Sequence, residues 1–176
     1  MKYIFLLPIF LMITYNIFGQ CSVEMTTDDS GITYYMANKE QIYQSDFLDD
    51  GVIIAFGQLT VMQKPENNKL LIFVLTITIG ADEELMIIPR KLTISFKDYS
   101  SIILNAQTLN KPKYTDQTRI ESCGFKLSLA DYGQLHKKAI ASIKIEDTRT
   151  NKSITTNPYE YLFVEQANCL AKNLKR

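Results

Sequence analysis

The chain has 176 residues and balances 19 Lys and Arg against 19 Asp and Glu, so it carries no basic field for nucleic acid or for an anionic membrane surface. A single His, three Cys and no Trp exclude the multi-histidine metal centres and leave Tyr and Phe to carry the aromatic content. The length allows one domain with a substantial core.

The first 21 residues, MKYIFLLPIFLMITYNIFGQC, read as an export signal. Lys2 supplies the positive charge, Tyr3 to Phe18 form an apolar run too short for a permanent span, and Gly19 is the small residue before a cleavage point. Cleavage between Gly19 and Gln20 removes residues 1–19 and leaves about 157 in an oxidising compartment, periplasmic or secreted. Cys21 opens the alternative of a lipoprotein anchored through that residue, although Gln20 and Phe18 fit its processing signal poorly.

Beyond the signal, strands dominate. Val23–Thr27 and Ile32–Met36 flank an Asp28-Asp29-Ser30-Gly31 turn. The polar stretch Asn38–Asp50 reads as an irregular connection. Val52–Met62 and Leu70–Ile79 form a central hairpin, with Leu71, Phe73, Leu75, Ile77 and Ile79 on one face. Met86–Ile88 and then Leu92, Ile94 and Phe96 make a further strand region, with Lys91, Thr93, Ser95 and Lys97 turned outward. Ile102–Gln107 is a strand, Asn110–Asp116 a loop, and Arg119–Leu129 a strand with Cys123, Phe125 and Leu127 sharing one face.

Ser128 followed by Asp131 starts a short helix that runs to Lys138 and turns Leu129, Tyr132 and Leu135 or His136 inward. Ala139–Glu146 and Ser153–Thr156 are strands. A C-terminal helix spans about 158–175, capped by Asn157, with Pro158 in its first turn and an apolar stripe of Leu162, Phe163, Ala167, Leu170 and Leu174. The expected fold is mostly β: an antiparallel sandwich or strongly curved sheet of about seven or eight strands, with one short helix and the C-terminal helix packed on the sheet. A lipocalin-like closed barrel is the alternative.

Three cysteines leave one over. Pairing Cys21 with Cys169 ties the mature N-terminus to the last helix and leaves Cys123 as a buried free thiol. The rival pairing is Cys123 with Cys169. His136 stands alone beside Lys137 and Lys138 and reads as a surface helix residue. The acidic groups Asp28-Asp29, Asp46-Asp49-Asp50 and Asp82-Glu83-Glu84 lack calcium-loop spacing and read as solvated loops. Tyr34, Tyr35 and Tyr43 are candidates for an aromatic platform, with strand packing the plainer role. No phosphate loop, dinucleotide fingerprint, nucleophile elbow or zinc-protease motif occurs.

Phe125–Tyr132, Leu135, Ile140–Asp147, Asn168-Cys169-Leu170, the early Cys21 and the Gly19-Gln20 junction together resemble small secreted proteins of unknown function from Bacteroidetes-type bacteria. The likeness covers about a third of the chain, and Cys123 is an addition to its pattern. It implies export and the strand–helix–strand–helix order of the C-terminal third, and assigns no activity. The sequence therefore points to an exported, non-enzymatic binding or envelope-associated domain. Its partner is a protein or small molecule; no catalytic residue, cofactor or metal is expected, nor contact with nucleic acid or, without lipid on Cys21, with membrane. The alternatives are an apolar-ligand carrier, with a cavity between the Leu71–Ile79 and Leu92–Phe96 faces, and a hydrolase using converging loop carboxylates.

Overall fold

The structure, a computed structural model, describes residues 22–45, 51–65, 67–115 and 118–174. The signal segment, the Gly19-Gln20 junction, Cys21 and the Asp46-Asp49-Asp50 group lie outside the described residues. Within them the chain forms twelve strands and two helices: β1 (Val23–Thr27), β2 (Thr33–Ala37), β3 (Glu40–Gln44), β4 (Ile53–Lys64), β5 (Asn67–Asp82), β6 (Lys91–Phe96), β7 (Ser101–Asn105), β8 (Thr108–Leu109), β9 (Lys113–Thr115), β10 (Thr118–Leu127), α1 (Leu129–Leu135), β11 (Ile140–Asp147), β12 (Lys152–Thr156) and α2 (Leu162–Leu174). The mostly β class with a C-terminal helix on the sheet is as the sequence predicts.

Two antiparallel sheets result. The larger runs β1-β2-β4-β5-β10-β8, with β3 also on β4 and β9 also on β10; the smaller runs β12-β11-β6-β7. The larger sheet curls into a half-barrel. Its spine is the β4–β5 hairpin, registered from Ile53 opposite Ala81 to Lys64 opposite Asn67. At one corner the chain passes directly between sheets: Ala106 N–H donates to Arg90 O at 2.8 Å, and Gln107 N–H donates to Gly124 O at 2.9 Å. On the opposite side the Thr156 hydroxyl donates to Ile42 O at 2.6 Å, joining β12 to β3.

One continuous core lies between the sheets. Period-two alternation puts Leu75, Ile77 and Ile79 of β5, Phe125 and Leu127 of β10, Leu92, Ile94 and Phe96 of β6, and Ile143 and Ile145 of β11 inside. α2 adds Leu162, Phe163, Ala167 and Leu170, and α1 adds Leu135. Each such side chain contributes about 1.5–3 kcal/mol of transfer free energy before conformational entropy opposes it.

Four local expectations are corrected. Glu40–Gln44, read as irregular, is a strand in which only Ile42 is buried, so polar side chains hide the alternation. β8 and β9, two and three residues long and exposed throughout, are too short to show a period; they and β3 are among the twelve strands observed where seven or eight were expected. Met86–Ile88 is a buried connection rather than a strand.

The fourth concerns the helices. α2 starts at Leu162 rather than near 158, because Glu160 is held by β11 and the β6–β7 turn: its carbonyl accepts from Ile140 N–H at 2.8 Å and its carboxylate pairs with Lys97. α1 ends at Leu135, and Leu129 is exposed rather than inward. The Ser128 capping box is as expected: the Ser128 hydroxyl accepts from Asp131 N–H, and the Asp131 carboxylate accepts from Ser128 N–H.

Candidate functional site

β2 and β3 share one edge of β4. β2 pairs with Thr60–Gln63 and β3 with Ile54–Gly57, so the ladder breaks at Gln58 and Leu59. The break is filled from α2. The buried Gln166 accepts from Leu59 N–H at 2.8 Å and donates to Asn38 O at 3.0 Å and Gly57 O at 3.2 Å. One carboxamide thus satisfies Leu59 N–H and the Gly57 carbonyl, which would otherwise be buried without partners, and ties in the exposed Asn38 as well. Gly57 permits the approach: a Cβ there would stand 3.2 Å from the Phe163 ring and 3.3 Å from Ile42.

A polar seam crosses the far end of the core. Asp147, 2% exposed, closes β11 and accepts from Arg149 N–H at 3.0 Å and Ile88 N–H at 3.4 Å. Burial pushes its carboxyl up. The hydrogen bonds from Arg149, Thr150 and Ile88, with the charge of Arg90, outweigh this and hold it below the usual carboxylate value. Arg90 Nε sits 3.3 Å from Asp147 Oδ1, outside hydrogen-bond geometry, and finds no acceptor among the described residues. Beside it Arg119 donates through Nε to the buried Glu121 at 2.9 Å and pairs also with Glu83.

Cys123 lies in this seam, free and fully buried. Burial first, then the charges of Glu121 and Asp147, push its thiol up to about 12 against the pull of Arg90. Such a thiol does not supply the thiolate that nucleophilic or redox chemistry needs.

The other sequence candidates do not converge. His136 ends α1 and meets Asn168 Oδ1 at 2.9 Å, joining α1 to α2. Tyr34 and Tyr35 are adjacent on β2 and therefore point to opposite faces: the Tyr34 hydroxyl donates to Asp28 and the Tyr35 hydroxyl to Gln63. Tyr43 packs against the core. Asp28 closes its turn by accepting from Ser30 N–H at 2.9 Å and Ile32 N–H at 3.0 Å. Glu83 is taken by Arg119. Among the described residues no three His, Cys, Asp or Glu stand together as metal ligands, and no helix is long and apolar enough to cross a membrane.

A surface that sequence reading missed forms at the other end of the smaller sheet. Three segments are cross-tied there: the β6–β7 turn, the α1–β11 connection and the link into α2. Lys138 pairs with Asp98 at 2.8 Å, donates to Ser100 Oγ at 2.7 Å and stands 5.5 Å from the centre of the Phe96 ring. Lys138 first, then the hydroxyl and N–H of Ser100, hold the exposed Asp98 carboxyl down to about 2. Lys97 pairs with Glu160.

On this frame Tyr99 is 100% exposed with φ 65°, in the left-handed region. Tyr159 and Tyr161, 57% and 44% exposed, pack edge to face with centroids 6.0 Å apart. The sequence trace of this surface is Tyr99 in one turn segment and Tyr159 and Tyr161 in another, because the ion pairs that assemble it join residues far apart in the chain. No family model matches the chain, and the searches of curated proteins and of solved structures find no match either.

Proposed function

We propose that the chain is an exported, non-catalytic domain of an oxidising compartment that binds a protein partner of the cell envelope through the Tyr99, Tyr159 and Tyr161 end. The observation that carries the binding surface is Tyr99, a bulky residue fully exposed at positive φ on a turn fixed by two ion pairs. Backbone strain of this kind costs about 1–3 kcal/mol and is retained where the surroundings over-determine it, as at ligand clamps. Rigid tyrosines supply contact area at low entropic cost and dominate binding hot spots. The export half of the reading rests on the sequence features of residues 1–20.

The test places a photo-crosslinking amino acid at Tyr99 and, as control, at Tyr114, an exposed tyrosine on β9. In the producing cell, a discrete adduct from position 99 that is absent from position 114 supports the reading. No adduct from either position, or the same adducts from both, overturns it.

A further inference from the structure

We propose that Cys21 and Cys169 are joined by a disulfide that fastens the start of the mature chain to α2. The proposal rests on the export reading above, because export supplies the oxidising environment. Cys169 is 7% exposed, and its Sγ lies 3.7 Å from the carbonyl oxygen of Ser22. Ser22 is itself fixed: its hydroxyl donates to Asn38 Oδ1 at 2.6 Å, and the next residue, Val23, pairs with Ala37. Cys21 is the residue immediately before Ser22 in the chain, one peptide unit from the carbonyl that Cys169 Sγ approaches. The rival partner is removed by geometry, since Cys123 is free and buried in the polar seam on β10.

The bond forms by two exchanges. The thiolate of one cysteine attacks a small-molecule or protein disulfide and expels one thiol. The thiolate of the second then displaces the other sulfur of the mixed disulfide. Two protons and two electrons leave the pair and appear in the two thiols of the reduced oxidant. A Cys21 sulfur held in this bond is not available for a lipid thioether, so the proposed bond and a lipid anchor at Cys21 exclude each other. The bond also holds α2, and with it Gln166, over the break in the β4 edge.

Two arms test this. In the first, the full chain is purified, incubated in a glutathione redox buffer, denatured and alkylated with and without reduction. One alkylated cysteine before reduction, three after, and a linked Cys21–Cys169 peptide are expected. Cys169→Ser is expected to expose two alkylated cysteines and to lower Tm by about 10 °C. Three alkylated cysteines in both states, or Cys123 found in the bridge, overturns the bond.

In the second arm, the intact mass of the protein is measured from the producing cell. A chain retaining Met1 overturns the export reading while the first arm still decides the bond. A chain starting at Gln20 with three free thiols overturns the bond and leaves export standing. An acylated N-terminal Cys21 overturns the bond.

Discussion

Gln166 acts on groups that lie 107 to 128 residues before it in the chain. Replacing it with Leu keeps the volume but leaves Leu59 N–H and the Gly57 carbonyl buried without partners and drops the tie to the exposed Asn38. Each lost partner costs about 1–3 kcal/mol, so Gln166→Leu is expected to destabilise by about 3 kcal/mol in urea unfolding. A loss below about 0.5 kcal/mol would show that the break is satisfied in another way. Asp147 makes the second residue-scale case. Its folded pKa is below the unfolded value, so its stabilisation is complete above about pH 4 and is lost as pH falls through the folded pKa. Asp147→Asn is expected to cost about 3 kcal/mol at pH 7, because it breaks the hydrogen bonds of a buried carboxylate and strands the half-buried Arg90 charge. The difference from the parent protein is expected to shrink below pH 4, as measured by urea unfolding across a pH series.

At the scale of elements, legibility follows the range of the forces. α1 begins where the sequence places it because its capping box is a contact across three residues, Ser128 to Asp131. Ser128→Ala is expected to cost about 1 kcal/mol, measurable as a shift in the denaturation midpoint. The long strands β4, β5, β6, β10 and β11 are legible because each turns one alternating face into the core. The start of α2 is not, because Asn157 and Pro158 satisfy a local capping pattern that Lys97 in the β6–β7 turn and Ile140 on β11 override. β3 is illegible for a similar reason: it exists because β4 offers it an unpaired edge, not because Glu40–Gln44 is apolar. The tyrosine end was hidden likewise, since Lys97–Glu160 and Lys138–Asp98 join turns separated in sequence.

For the whole molecule, the two sheets are held by a shared core, by the direct passage through Ala106 and Gln107, and by the closing helix. α2 supplies Leu162, Phe163, Ala167 and Leu170 to the core as well as the Gln166 carboxamide. A chain ending at Tyr161 is therefore expected to lose cooperative thermal unfolding and to bind a hydrophobic dye at neutral pH. A sharp two-state transition in that truncated chain would show that the sheets close without the helix. The sequence makes the mostly β class readable through alternation, but not the split of its strands into two sheets, because pairing partners are chosen by edges rather than by periods.

The break in the β4 edge also sets an order in time. A polypeptide emerges from a ribosome or a translocation pore N-terminus first, and the residue that completes this edge follows Leu59 by 107 positions and Asn38 by 128. Until α2 has emerged, β2, β3 and β4 carry unmet backbone groups and an uncovered apolar surface. The native state thus becomes accessible only once α2 is free to dock. On the export reading, that delay keeps the chain threadable during passage and leaves its closure to the far side of the membrane.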